Sequence, residues 1–304
     1  MLKNFDELIA KVKTGKSVRV AVAQADDTEV IKTVKMALDE GIATFYLVGE
    51  KEPILQKLEE VGLSEDGEKI KVLHTNDHAS AAAEAVKLVR NGEADVVMKG
   101  LLHTATFLKA VLNKEWGLRP GEKALLSHVG VFKLPLYDRF FLLSDAAMIP
   151  APTLEQKVTI INYAVKVAHA LEIEEPKVAV LAAVETVSTA MPATIEAAAL
   201  AVMNRRKQIK GCIVDGPLAL DNALSEEAAR HKGIESPVAG KADVLIVPDI
   251  EAGNILYKSF TFGAGAKMAG VVVGATAPVV LTSRADSAES KFYSIALAVK
   301  MAQV

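Results

Sequence analysis

Cysteine is almost missing from this chain: Cys212 is the single one among 304 residues. An intrachain disulfide is therefore excluded, as is a cysteine-built metal cluster of the zinc-ribbon kind, and a reducing cytoplasm is the expected setting. The histidines are few and lie apart without ligand spacing, so no metal and no permanently bound cofactor are expected. A basic block is also lacking. The 35 basic and 38 acidic residues are interspersed and leave a net charge of −3, which argues against a nucleic acid or an anionic membrane surface as partner. Long apolar runs are absent too, since Gly, Pro or Thr breaks each one well short of the roughly 18 residues that span a bilayer. Lys3, Asp6 and Glu7 put charge where a signal peptide would be apolar. No membrane partner is expected.

What the chain has in quantity is apolar residues, 51% of the total, enough for two cores of ordinary size. Short β-branched runs (17–24, 44–49, 69–75, 94–100) alternate with stretches whose apolar residues recur at three- and four-residue spacing (28–40, 52–62, 77–91, 104–113). Such alternation predicts a parallel sheet with crossover helices, Asp77 and Thr104 being the clearest helix caps. The runs 125–134 and 140–148 are joined by a connection too short for a helix, which predicts an antiparallel pair. The alternation then resumes: helix 153–171, strand 177–183, helix 192–206, strand 211–215, helix 225–230, strand 242–247. The fold class is α/β, with one domain formed by residues 1–124 plus 276–304 and a second by 125–275. The stretches from Gly92 and Gly240 share a layout of A-D-V strand, polar tip and helix, hinting at two similar halves. In open parallel sheets ligands sit at the carboxyl ends of the strands, so the residues following each strand are the candidates for chemistry.

One tip stands out. In APVVLTSRADSAE (277–289) an apolar strand ends in Thr282-Ser283-Arg284, and a helix is expected to begin near Asp286. A hydroxyl, a guanidinium and free helix N–H groups together suit a phosphate-like anion. Alternatively Asp286 only caps the helix and Arg284 forms a surface ion pair. Gly216, Pro217 and Asp221 read as a turn after a buried strand, where a glycine lets a ligand approach the backbone. Pro248, Asp249, Gly253 and Asn254 follow the next strand. There a helical glycine costs about 1 kcal/mol relative to alanine, which a ligand-facing helix start would explain. Lys258 is either solvated or a phosphate contact, and His103 with Thr104 either opens a helix or touches substrate.

The ordered set DGPLALDNAL (215–224), SPVAGKADVLIVPD (236–249), EAGNILYKSF (251–260) and TSRADSAESK (282–291) resembles the phosphate acetyltransferase and phosphate butyryltransferase family. The likeness extends to KGLLHT (99–104) and to Ser144-Asp145-Ala146 with Pro152-Thr153; before residue 90 only the βα pattern matches. The resemblance implies a two-domain architecture like that of isocitrate and isopropylmalate dehydrogenases, with an interdomain cleft. It implies acyl transfer between coenzyme A, a substrate, and inorganic phosphate, and at least a homodimer. It assigns Arg284 to phosphate and the developing charge, Ser283 to a hydrogen bond there, and substrate contacts to His103, Thr104, Lys109, Gly216, Pro217, Asp249, Gly253, Asn254 and Lys258. Ser290 stands where acetyl-preferring relatives carry an aspartate, and Lys109 where they carry an arginine. Asp286 or Glu289 is then left as the base for the CoA thiol, although Arg284 nearby would depress either pKa. The stretch 274–298 looks more like the butyryl than the acetyl branch. The competing readings are a hydroxy-acid dehydrogenase using NAD(P), disfavoured because no G-x-G-x-x-G follows the first strand, and a non-catalytic binder of acyl-CoA or phosphate.

Overall fold

A computed structural model describes residues 1–122, 124–283 and 286–304. The elements begin with α1 (Phe5–Lys13), β1 (Arg19–Ala23), α2 (Thr28–Asp39), β2 (Thr44–Gly49) and α3 (Lys51–Glu60). They continue with β3 (Ile70–His74), α4 (His78–Arg90), β4 (Val96–Lys99), α5 (Thr104–Val111), β5 (Ser127–Lys133) and β6 (Phe140–Ser144). Next come α6 (Leu154–Ala170), β7 (Lys177–Leu181), α7 (Pro192–Arg205), β8 (Ile213–Leu218), α8 (Leu220–Leu224) and α9 (Glu226–His231). The last are β9 (Val244–Ile246), α10 (Ile250–Lys258) with a π-helical turn Ser259–Gly263, β10 (Lys267–Val273), β11 (Val279–Val280) and α11 (Ala288–Ala302). No helix of the described residues is long and apolar enough to cross a membrane.

The described chain divides into two compact units, Phe5–Ala124 with Ala269–Val304 and Met1–Asn4 with Leu125–Met268. In the first, β3, β2, β1, β4 and β11 lie side by side and parallel, and β10 runs antiparallel to β11 through Val272 and Val279. Strands β1 and β4 are buried along nearly their whole length, as expected of parallel strands covered on both faces. Arg19 opens β1 and grips Asp95 before β4 through its backbone N–H, Nε and Nη2 at 2.9–3.0 Å, which pins the amino ends of the two strands together. Helix α11 is buried continuously from Lys291 to Val299, and Tyr293 stacks on Phe5 of α1 with ring centroids 4.2 Å apart.

In the second unit the order is β5, β6, β9, β7, β8; β5 and β6 form the antiparallel pair and the others are parallel. Helix α6 opens with a capping box in which Thr153 and Gln156 exchange side-chain and backbone hydrogen bonds.

Three local expectations are corrected. The amino cap of α5 is His103, not Thr104: the bond from the Phe107 N–H to the His103 carbonyl starts the helix one residue earlier. Helix α11 is capped by Ser287, which accepts from the Ser290 N–H, and Asp286 stays outside it. Gly216 and Pro217, joined by a cis peptide bond, are not a turn; β8 runs through them, because a register shift against β7 lets pairing resume at Leu181 and Leu218. The capping of α4 by Asp77, which accepts from the N–H groups of Ala79 and Ser80, agrees with the sequence pattern.

Candidate active site

The carboxyl ends of β1, β4 and β11 meet in the first unit. Gly100, just past β4, donates its N–H to the Ala23 carbonyl, and Leu101 donates to that of Gln24. A Cβ on Gly100 would lie 2.0 Å from the Gln24 carbonyl oxygen, so no side chain fits between the two tips. Gln24 itself takes the left-handed region at φ 58° and is buried. Its amide donates to Asp26, and Asp27 caps α2 by accepting from the Val30 N–H at 3.0 Å.

Between these tips lies a pocket of about 90 Å3, lined by Asp27, Glu29, Val30, Lys99, Gly100, Leu101, Thr282, Ser283 and Lys291. Two of its lysines are unusually buried, Lys99 at 4% and Lys291 at 5% exposure. The Lys99 ammonium turns back to the carbonyls of Gly100 and Leu102 at 3.2 and 3.3 Å. Lys291 reaches from the first turn of α11 to the Asp286 carbonyl. The Glu29 carboxyl is held below its ordinary value, chiefly because Lys32 bonds to it and further because the Lys291 charge is near. Burying an ammonium costs several kcal/mol unless it is paired, so the Lys291 ammonium, met by a backbone carbonyl, marks a place where negative charge is welcome.

Ser283 belongs to this pocket, and its backbone N–H is held by the Asp286 carboxylate. Arg284 lies outside the described residues. Glu289 does not line the pocket; exposed on α11, it accepts the Tyr293 hydroxyl at 2.7 Å. His103 and Thr104 are exposed at the start of α5 and Lys109 is exposed in its last turn, none of them lining the pocket.

The remaining candidates lie in the second unit. Gly216 is packed from within, since a Cβ there would meet the Val180 carbonyl at 2.8 Å and the Ala197 Cβ at 3.2 Å, and Pro217 beside it is buried in the strand. Asp249 caps α10 through the Ala252 N–H. Gly253 is buried against the loop after β6, where a Cβ would lie 2.6 Å from the Asp145 carbonyl oxygen, and the Asn254 amide donates to the Ala146 carbonyl at 3.2 Å. The cost of a helical glycine is thus offset by packing against this loop rather than by a ligand-facing helix start. Asp249, Gly253 and Asn254 together fix how β6 and β9 hand over to α10, while Lys258 ends that helix exposed.

Lys99, Lys291, Asp27 and Glu29 went unnoticed as site residues in the sequence, where a lysine defaults to a solvated position. Two signals were there: Lys99 closes the apolar run VVM, and Lys291 opens the uncharged stretch FYSIALAV. Cys212 is no rival nucleophile, because burial, helped by the charge of Glu175, pushes its thiol up to about 11. Among the described residues no group of three His, Cys, Asp or Glu is placed to hold a metal ion.

The family model described as Phosphate acetyl/butaryl transferase matches residues 4–87 and 74–299. A phosphate butyryltransferase of Clostridium acetobutylicum is 50% identical over 302 residues, 99% of each chain. A phosphate acetyltransferase of Thermotoga maritima is 48% identical over 293 residues, covering 96% of this chain and 98% of its own. Among solved structures, a branched-chain phosphotransacylase from Enterococcus faecalis V583 superposes with a TM-score of 0.82 at 38% identity, over 94% of this chain and 99% of that one.

Proposed function

The chain belongs to the phosphate acetyl/butaryl transferase family, and from that premise we propose that it exchanges a four-carbon acyl group between coenzyme A and inorganic phosphate. In this reaction a phosphate oxygen attacks the thioester carbonyl, the C–S bond breaks, and CoA leaves as a thiolate that takes up a proton. The reverse direction begins by removing that proton. No covalent enzyme intermediate is required, since phosphate or thiolate is itself the nucleophile and the protein contributes by holding both reactants together.

The observation that carries this reading is the pocket at the ends of β1, β4 and β11, which Ser283 lines together with two buried lysines. Preorganised cations and donors are what a phosphate nucleophile and a developing oxyanion require. Ser283 is assigned a hydrogen bond to the reacting oxygens and Arg284 the charge beside it; replacing Arg284 by Ala is expected to lower kcat by on the order of 10². His103, Thr104 and Lys109 on α5, with Lys258 at the end of α10, are assigned to the CoA side on the grounds of exposure and charge.

Preference for butyryl over acetyl is supported by butyryltransferase relatives at 50–52% identity, against 48% for the acetyl enzyme of Thermotoga maritima. A methylene is worth only about 0.8 kcal/mol, so the preference is expected to be graded. Coenzyme A is a substrate here, not a resident cofactor, and the setting is the cytoplasm. A homo-oligomer is supported by Ile255 and Phe262, 67% and 81% exposed and seven residues apart on one continuous helical stretch.

Thiol release on mixing the protein with butyryl-CoA and phosphate, without nicotinamide or metal, tests the activity. A kcat/KM series over acetyl-, propionyl-, butyryl- and isobutyryl-CoA tests the preference, and light scattering the assembly. No thiol release with any of the four would overturn the reading.

A further inference from the structure

The pocket in the first unit combines features that a simple anion sink would not have. Lys99 and Lys291 bring two buried positive charges to it, yet Asp27, at the cap of α2, lines the same small space, with Glu29 two residues on. The acceptor found for the Lys291 ammonium is a backbone carbonyl, which solvates an ammonium without neutralising it. Lys157, just as buried in the second unit, is by contrast neutralised directly by Glu196. Among the described residues Lys291 has a single hydrogen-bond acceptor, the Asp286 carbonyl, although an ammonium has three N–H groups to give. Glu29, the carboxylate whose pKa responds to the Lys291 charge, is itself bonded to Lys32 at 2.8 Å.

A carboxylate facing a bound anion is repulsive unless a proton lies between them. Inorganic phosphate carries such a proton near neutral pH, whereas sulfate, of the same shape and charge, does not. One Asp27 oxygen is engaged by the Val30 N–H, and the carboxylate has acceptor sites beyond that bond. The volume is ample for one tetrahedral oxyanion.

Resting on the phosphate acyltransferase reading, we infer that Lys99 and Lys291 hold the phosphate nucleophile and that Asp27 accepts its P–OH, so that the pocket selects hydrogen phosphate and rejects sulfate. The lysines supply attraction for any small dianion. Asp27 supplies the discrimination, by a repulsion that only a protonated oxyanion relieves.

The test measures sulfate as an inhibitor competitive with phosphate in wild type, Asp27→Asn, Lys99→Met and Lys291→Met, at saturating butyryl-CoA. Asparagine caps a helix as well as aspartate does, so Asp27→Asn keeps α2 while removing the charge. The ratio of the sulfate Ki to the phosphate KM is expected to fall at least tenfold in Asp27→Asn. In each lysine variant the phosphate KM is expected to rise at least tenfold, with the KM for butyryl-CoA changed less than twofold. An unchanged ratio in Asp27→Asn overturns the selection, and unmoved phosphate KM values in both lysine variants overturn the binding role. Should a lysine variant not fold, the ratio in Asp27→Asn decides alone. Turnover of phosphate by the wild type, measured first, separates failure of this inference from failure of the acyltransferase reading.

Discussion

The backbone N–H of Ser283 donates to the carboxylate of Asp286 at 2.7 Å, and the Asp286 carbonyl in turn accepts from the buried Lys291 ammonium. This chain of contacts ties the end of β11 to the first turn of α11 and fixes where Ser283 stands in the pocket. Asp286 thus has a positioning task that competes with service as a general base. The two roles separate by substitution. Asparagine retains an oxygen to accept the Ser283 N–H, so Asp286→Asn is expected to keep kcat within about threefold, whereas Asp286→Ala loses on the order of tenfold through misplacement of the tip. A base would instead be lost equally in both variants, and kcat with its pH profile reads the difference.

Glu289, the other carboxylate considered as a base, is turned to the Tyr293 hydroxyl, and Tyr293 is in turn stacked on Phe5. Gln in its place still accepts that hydroxyl. Glu289→Gln is therefore expected to leave both kcat and the pH–rate profile close to wild type. Loss of one limb of the profile would return Glu289 to the role of base.

Much of the fold was legible because its signals are local. The buried parallel strands announce themselves as β-branched runs, Asp77 caps as its position suggests, and the short connection 135–138 forces the antiparallel β5–β6 pair. Legibility fails where a residue's surroundings come from distant parts of the chain. Gly216-Pro217 looks like a turn, but pairing with β7 keeps it in a strand. Gly253 resembles a ligand-facing glycine, but the room it leaves is filled by Asp145 and Ala146, more than a hundred residues earlier. Lys99 and Lys291 belong to segments far apart in sequence, and only the juxtaposition of β4 with β11 gives them a common pocket. The Ser283 tip could be singled out because its chemistry is concentrated in consecutive residues.

The clasp between β1 and β4 gives a pH signature to stability. Burial is the largest single influence on Asp95 and pushes its pKa up, but the bonds from the Arg19 side chain and backbone, together with the guanidinium charge, outweigh it and hold the carboxyl below its ordinary value. A group depressed in the folded state contributes stability that is fully present above its unfolded pKa, about 3.9, and is lost as pH falls through the folded value. Wild type is thus expected to be more stable than Asp95→Asn at pH 7, with the gap in denaturation midpoint closing only below about pH 4. A gap independent of pH down to 3 would mean that the carboxylate charge contributes nothing.

Packing rather than chemistry governs the last substitution. A methyl group on Gly253 would press on the Asp145 carbonyl oxygen at 2.6 Å, the Val247 Cγ2 at 2.9 Å and the Ala146 Cα at 3.0 Å. Two of these atoms are backbone and cannot swing aside, so α10 must move away from the loop after β6. That movement would stretch the 3.2 Å bond from Asn254 to the Ala146 carbonyl. Overpacking of this kind costs about 1–3 kcal/mol, more than the intrinsic gain of roughly 1 kcal/mol from replacing a helical glycine with alanine. Gly253→Ala is accordingly expected to be destabilised on balance, despite its better helix propensity, while Asn254→Ala, which removes the hydrogen bond but adds no bulk, loses about 1 kcal/mol. Equilibrium unfolding in denaturant measures both. An alanine variant more stable than wild type would show that the loop after β6 yields freely and that Gly253 is held for some reason other than contact.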